Sequence, residues 1–483
     1  MNLNELYPQI VWNIFQDICK VPRPSKNEGK MIEFLTDFAK KHNLEYTVDK
    51  TGNVIIRKPA SKGCENKPSV ALQSHIDMVC EKNSNKEHDF LKDPIKPYIT
   101  EDGQWVKADG TTLGADDGIG VAAELAILIS DDIEHGPLEC LFTVDEETGL
   151  TGAFGLEPDV LKSKILLNLD SEDDGEIFIG CAGGVDTVGT LTFKKAPVIP
   201  NAAAFKVSVY GLVGGHSGDD INKGRGNSNK LLNRFIYEYS KKHTIDLAYF
   251  DGGNLRNAIP REAYAIVTVP DKQVNTFKKA VAKYEATIKA ELEMTDAGVS
   301  FDAEKTNLPK YVMEKDDFVK FIRLIYAMPH GVISMSFKLK GIVETSTNLA
   351  SIKFNGNKIT ITTSQRSDSE SLKADIAAMV ENCLLLAGAK IQHSDGYPGW
   401  TPNPDSPILH ITLDVYKDLF GTPAIFRSIH AGLECGLFST KYPDMDMVSY
   451  GPTLRGVHSP DEKIEIHTVE KFWKMTLEIL KRL

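Results

Sequence analysis

The chain has 483 residues, 42% apolar and 25% charged, and its 55 basic against 67 acidic residues leave a net charge of −12. That balance argues against nucleic-acid binding as the main activity, and the length predicts two domains. No apolar run is long enough to span a bilayer, the opening Met-Asn-Leu-Asn-Glu-Leu-Tyr-Pro lacks the pattern of an export signal, and seven dispersed cysteines without a CxxC pair read as reduced thiols. These features set the expectation of a cytoplasmic protein with neither a membrane nor a nucleic-acid partner.

In chain order, the first helix is predicted over residues 7–20, ended by Val21-Pro-Arg-Pro-Ser25, where two prolines forbid continuation. Short apolar runs rich in β-formers follow at Ser69–Asp77, Leu138–Val144 and Lys164–Asp170, each closing in a polar cluster. Between the first two, Ala115–Ser130 sets Ile119, Ala122, Ala123, Ala126 and Ile127 at helical spacing. Strands alternating with helices imply a largely parallel sheet, whose ligands gather at the carboxyl ends of the strands.

After Gly180-Cys-Ala-Gly-Gly184 the texture changes. Residues 205–303 read as strand (Phe205–Tyr210), helix (Ser228–His243), two strands (the second Glu262–Val269), helix (Lys272–Glu293) and strand. Residues 314–393 read as helix (Glu314–Ala327), strand (Thr345–Phe354), strand (Lys358–Thr363), helix (Asp368–Ala387) and strand. Each half resembles a ferredoxin-like β-α-β-β-α-β unit, although no first strand is evident for the second. Asp395-Gly-Tyr-Pro-Gly-Trp-Thr-Pro-Asn-Pro-Asp405 is rich in turn formers and marks a return linker. The final helix is predicted over Thr468–Leu483, with Thr468 as N-cap. The fold class is therefore α/β. A discontinuous catalytic domain with a mostly parallel mixed sheet (residues 1–185 and 396–483) is interrupted by an α+β lid domain of two ferredoxin-like halves (186–395).

Acidic and imidazole residues fall at the predicted strand ends: His75 and Asp77 after the first, Glu146 and Glu147 after the second, Asp170 after the third. Asp116 lies in Gly-Ala-Asp-Asp-Gly, and His458 in a C-terminal Gly-Val-His-Ser-Pro-Asp. Taken singly, each has a duller explanation: a structural histidine, a helix cap, a solvated loop acid, a turn aspartate. Jointly they form the parts list of a two-metal hydrolase, because imidazole and carboxylate suit zinc, manganese or cobalt. Two such ions ~3.5–4 Å apart can activate water and polarise a carbonyl.

The order of these motifs resembles the M20 family of metallopeptidases: His-x-Asp, Gly-x-Asp-Asp-Gly, Asp-Glu-Glu-x-Gly, an Asp after an apolar strand and a C-terminal His. Within it, the likeness is to the aminoacyl-histidine dipeptidase branch. It is carried by Val-Pro-Arg-Pro-Ser (21–25), Leu-Gln-Ser-His-Ile-Asp-Met-Val (72–79), Thr-Thr-Leu-Gly-Ala-Asp-Asp-Gly-Ile-Gly (111–120) and Gly-Gly-His-Ser-Gly (214–218). The resemblance implies two divalent ions, zinc first, with Mn2+ or Co2+ as alternatives. Asp116 would bridge them, His75 and Asp170 would complete one ion, and Glu147 and His458 the other. Asp77 would orient His75, and Glu146 would be the general base. A neutral residue can stand at Asp117 in the family, so Asp117 is not expected to be essential.

In the inserted domain the resemblance implies that His216 stabilises the oxyanion and that Asn257 and Arg366 hold substrate, while Gly432, in the C-terminal segment, would line the pocket with its backbone. Arg366 would clamp a terminal carboxylate with two donors. Read from the residues alone, His216 could be a mobile loop histidine and Arg366 a surface ion pair. The reading is a metallo-dipeptidase acting on small peptides with a free C-terminal carboxylate, of Xaa-His or broad specificity. The alternatives are a tripeptidase, an N-acyl amino acid deacylase, or a noncatalytic peptide-binding protein on the same fold. His216 and Arg366 are expected to act from one chain, so a homodimer, if formed, is not needed for catalysis. Gly183, Gly184 and the return linker are expected hinges.

Overall fold

The computed structural model of the chain describes residues 2–483. Two compact units result. One takes the chain up to Gly180 with Pro402–Ser428 and Leu433–Leu483, and the other takes Cys181–Thr401 with the short return Ile429–Gly432.

The first unit is built on an eight-stranded sheet. Its strand order is Glu45–Val48, Val54–Lys58, Leu138–Thr143, Val70–His75, Ile165–Asn168, Asp446–Ser449, Glu176–Cys181, Ile425–Ile429. The four strands from Leu138–Thr143 to Asp446–Ser449 run parallel, and Val54–Lys58 joins them antiparallel. Val70–His75 and Leu138–Thr143 are buried at every position, as strands covered on both faces must be. The helix Ala115–Ile129 packs on this sheet and on the first helix, Gln9–Ile18, and its residues from Asp117 to Leu128 are all buried. A sequence that is apolar nearly all round thus becomes a core helix. Among the described residues, no helix is long and apolar enough to cross a membrane.

The last helix runs Ile466–Arg482, and its N-cap is Glu465, not Thr468. The Thr468 hydroxyl instead donates to the Glu465 carbonyl at 2.8 Å and accepts from the Thr453 amide at 2.9 Å. A capping-type residue one turn inside the helix is used there to hold a neighbouring strand connection.

The second unit is one antiparallel sheet. Its strand order is Ser300–Thr306, Ala202–Tyr210, Ala263–Pro270, Asp246–Gly252, Val343–Asn355, Lys358–Ser367, Gly183–Thr192, Lys390–His393, with Gly331–Met335 added beside Val343–Asn355. The first four strands, with helices Ser228–Ser240 and Val274–Glu291, make one β-α-β-β-α-β half. The other four, with Lys315–Ala327 and Glu370–Leu386, make the second. The strand missing from the sequence pattern of the second half is Gly183–Thr192, which precedes the entire first half and pairs with Lys358–Ser367. A division at residue 186 would cut this strand. Gly183 and Gly184, expected as hinges, open this strand opposite Ser367 and Arg366, two and three residues past the start of the second unit at Cys181.

Candidate active site

In the first unit, three parallel neighbours deliver three parts of the cluster. His75 ends its strand, the Glu146–Glu147 pair follows Leu138–Thr143, and Asp170 follows Ile165–Asn168. Asp116 comes from the start of the buried helix, where it and Asp117 depart from helical geometry. The five residues predicted as ligands converge. His75 Nε2 lies 3.0 Å from Asp116 Oδ1 and 3.4 Å from Asp170 Oδ1. His458 Nε2 lies 3.3 Å from Asp116 Oδ2 and 2.9 Å from Glu147 Oε2. Asp116 therefore turns one oxygen to each imidazole. One ligand atom each from His75, Asp116 and Glu147 lie within 4.8 Å of one another.

The electrostatics fit a pair of cations. Five carboxyl groups, those of Asp77, Asp116, Glu146, Glu147 and Asp170, crowd two imidazoles. Burial alone would lower His75, but Asp170, Asp116 and Asp77 outweigh it and hold the ring well above the usual imidazole range. Hydrogen bonds to Asp116 and Glu147 push His458 up to about 11. Burial raises Asp170 to about 7. Burial opposes ionisation of Asp116, yet the two imidazoles hold its carboxyl far below the ordinary range. Glu147 Oε1 is buried without a hydrogen-bond partner, an acceptor that a cation would satisfy. The donor set of nitrogen and oxygen, with no thiolate, matches zinc, manganese or cobalt.

Asp77 has two tasks. Its Oδ1 lies 3.3 Å from His75 Nδ1, on the far side of the ring from Asp116, and its two oxygens accept from the Glu146 and Glu147 amides at 3.0 and 3.3 Å. One carboxylate thus aligns a ligand ring and the backbone of the glutamate pair. Burial works to raise Asp77, but His75 and these hydrogen bonds keep it below the usual range. Glu146 points to different chemistry. Burial pushes its carboxyl well above the usual range, with Asp170, Glu147 and Glu434 adding to the push and His75 opposing it. Asp117 is buried, its Oδ1 accepts from the Gly120 amide at 3.1 Å, and burial raises it well above the carboxylate range. A neutral side chain would suit that position.

Three supporting residues escaped the sequence reading. Glu462 receives the amides of Leu113, Gly114, Ala115 and Asp116 at 2.7, 3.0, 2.8 and 3.4 Å. Arg23 donates to the Ile76 and Asp77 carbonyls at 3.0 and 2.8 Å and also to the Gly114 carbonyl, tying the His75 strand end to the Asp116 loop. Gly114 has φ 68°, and a Cβ there would lie 2.6 Å from the Arg23 guanidinium, so only glycine fits. Glu434 accepts from Gln73 Nε2 and Thr143 Oγ1 at 2.6 and 2.7 Å, and burial raises it to about 8. Gln73 in turn accepts from Asn168 at 2.6 Å, so a buried polar chain joins the three strands one layer below the ligands. The available signals are faint: Arg23 lies in Val-Pro-Arg-Pro-Ser, Glu434 is a lone acid in the apolar stretch Gly-Leu-Glu-Cys-Gly-Leu-Phe, and Glu462 follows a polar turn sequence.

In the second unit the predicted substrate residues also meet. Gly215–His216 pairs with Ala258–Ile259, and the Asn257 carbonyl accepts the Ser217 amide at 2.8 Å. Arg366 Nη2 lies 3.4 Å from His216 Nε2. His216 Nδ1 lies 3.4 Å from Asp219 Oδ2. His430 hydrogen-bonds Ser346 at 2.7 Å, and burial with the nearby Arg366 charge lowers its ring to about 3. Gly432 packs on Tyr397.

Fold and site together define a hydrolytic enzyme whose imidazole and carboxylate cluster, at the carboxyl edge of a parallel sheet, is suited to divalent ions. The chain belongs to peptidase family M20/M25/M40, whose model matches residues 71–482. It is 44% identical over 481 residues to the cytosol non-specific dipeptidase of Escherichia coli, covering 100% of this chain and 99% of that one. The crystal structure of aminoacylhistidine dipeptidase from Vibrio alginolyticus matches with a TM-score of 0.93 at 44% identity, covering 100% and 98% of the two chains. A tripeptidase from Staphylococcus aureus shares the fold, with a TM-score of 0.56 at 17% identity over 99% and 98%.

Proposed function

We propose that the protein is a cytoplasmic two-metal dipeptidase that hydrolyses dipeptides bearing a free C-terminal carboxylate. The observation that carries this reading is Asp116, which offers one oxygen to each of two imidazoles, as a carboxylate shared between two ions must. His75 and Asp170 would hold one ion and Glu147 and His458 the other, zinc being the first candidate and manganese or cobalt the alternatives. Bound there, the ions supply Lewis-acid polarisation of the scissile carbonyl and make water acidic enough to attack.

The chain's own groups do the rest. Glu146 takes the proton of the attacking water and returns it to the leaving amine. Burial of its carboxyl raises its basicity. Asp77, whose Oδ1 lies 3.3 Å from His75 Nδ1, would orient the ring so that Nε2 faces the proposed ion. His216 donates to the developing oxyanion, Asn257 and Gly432 line the substrate, and Arg366 binds the terminal carboxylate.

A complete donor set with Glu146 in place favours an enzyme over a noncatalytic binder. The dipeptidase names of the two 44%-identical relatives favour dipeptides over tripeptides or N-acyl amino acids. The test is dipeptide hydrolysis before and after chelation, with metal analysis of the active protein. Loss of activity on chelation and recovery with zinc, manganese or cobalt is expected. Full activity in protein free of divalent ions would overturn the proposal.

A further inference from the structure

Arg366 is 7% exposed, so its guanidinium is aimed by what it touches, not by free rotation. Its Nη1 donates to the Tyr397 hydroxyl at 2.9 Å. Its Nη2 faces His216, and its Nε–H is enclosed without a partner. With Nη1 engaged, the two-pronged face left for a carboxylate is the Nε–Nη2 edge. That edge is the one beside His216, the residue assigned to the oxyanion.

Tyr397 is itself held in place. Its carbonyl accepts the Gly184 amide at 3.0 Å, and its amide donates to the Gly184 carbonyl at 2.9 Å. Lys373 Nζ donates to the same Tyr397 carbonyl at 2.6 Å. The ring lies where two glycines make room: a Cβ on Gly184 or on Gly432 would come within 2.7 and 2.8 Å of it. Gly432, expected to line the pocket with backbone, thus has a second physical reason to lack a side chain. All of these groups belong to the second unit.

We propose that Tyr397 is a positioning residue for substrate recognition: its hydroxyl selects which edge of Arg366 receives the terminal carboxylate of the peptide. The assignment rests on Arg366 as the carboxylate clamp. Tyr397→Phe removes the hydroxyl and keeps the ring, freeing Nη1 and letting the guanidinium rotate. Gly432→Ala should act through the same ring, by pushing it off its seat.

The test compares kcat and KM for one dipeptide and its C-terminal amide in wild type, Tyr397→Phe and Gly432→Ala, with thermal melts to confirm folding. Loss of one hydrogen bond to a charged group corresponds to roughly a 10-fold change. The free-over-amidated preference should therefore fall by about 10-fold in both variants, with KM for the free dipeptide carrying the larger share. A wild-type preference retained in full by Tyr397→Phe would overturn the role of Tyr397 and leave Arg366 as the clamp. Equal kcat/KM for free and amidated dipeptides in the wild type would refute the clamp itself, and the role of Tyr397 with it.

Discussion

Glu462→Gln is the sharpest test of how the chain builds its metal centre. The carboxylate is 3% exposed and divides four amides between its oxygens: Leu113 and Gly114 on Oε2, Ala115 and Asp116 on Oε1. Glutamine has the same shape but one acceptor oxygen. Whichever way its amide turns, an NH2 faces two backbone donors. Each buried unpaired donor costs about 1–3 kcal/mol, so two cost about 2–6 kcal/mol. Part of this is offset, because burial makes the Glu462 charge expensive and raises its carboxyl. The net loss should lie near the lower end, about 2–3 kcal/mol, against a typical total stability of about 5–15 kcal/mol. Urea denaturation of the metal-free variant should show a lower midpoint at unchanged slope. Calorimetric titration with zinc should show weaker binding, because the misheld loop carries Asp116. An unchanged midpoint together with unchanged zinc affinity would refute the claim that this carboxylate holds the loop.

Glu146→Gln should keep full metal occupancy and lose about 10²–10⁴-fold in kcat, since an amide cannot accept the proton of water; near-normal turnover would require another base. Metal uptake should release protons. His458, at about 11, is protonated at neutral pH in the metal-free chain and must be neutral to ligate. Affinity should accordingly rise with pH, and titrations at one pH in buffers of different ionisation enthalpy should give different apparent heats; buffer-independent heats would count against it. Because the folded pKa is raised, this ring stabilises the metal-free fold fully below the ordinary imidazole range, and that support is lost as pH rises through about 11. Mixing His216→Ala with Arg366→Ala chains under subunit exchange should restore no activity. The two side chains already meet at 3.4 Å within one chain, and substantial recovery would show them working across subunits.

The convergence of imidazoles and carboxylates was legible because its chemistry is written at strand ends, where an apolar run breaks into His-x-Asp, Asp-Glu-Glu or Leu-Asp. Those breaks survive without any knowledge of strand order. The sheet itself was less legible. Asp446–Ser449, which completes the parallel core, is a short stretch whose partner Ile165–Asn168 lies far back in sequence, and nothing local announces the pairing. Glu462 was hidden because a carboxylate receiving four amides reads, in sequence, as a solvated turn acid after Ser-Pro-Asp. Tyr397 was hidden for the opposite reason: it sits in a run of glycine and proline that reads as linker, and its importance comes from glycines at 184 and 432. The Thr468 cap failed because Thr453, fifteen residues earlier, competes for the same hydroxyl.

The nesting of the two antiparallel halves governs the order in which this protein can assemble. Gly183–Thr192 is made before any of the strands it pairs with in the second unit, and its main partner, Lys358–Ser367, follows about 165 residues later. At synthesis rates of about 5–20 residues per second it waits some 8–33 s with both edges bare. The intervening half shortens the search. Lys195–Ala196 and Val312–Met313 pair and stitch the base of that segment shut. The open path then falls to about 50 residues, which lowers the closure cost by about 1 kcal/mol. The waiting strand, Gly-Gly-Val-Asp-Thr-Val-Gly-Thr-Leu-Thr, carries three glycines and a charge and no apolar run. That composition is a poor strand former in isolation and a poor template for another nascent chain, so the residues that make it hard to recognise also keep it from sticking before its partners arrive.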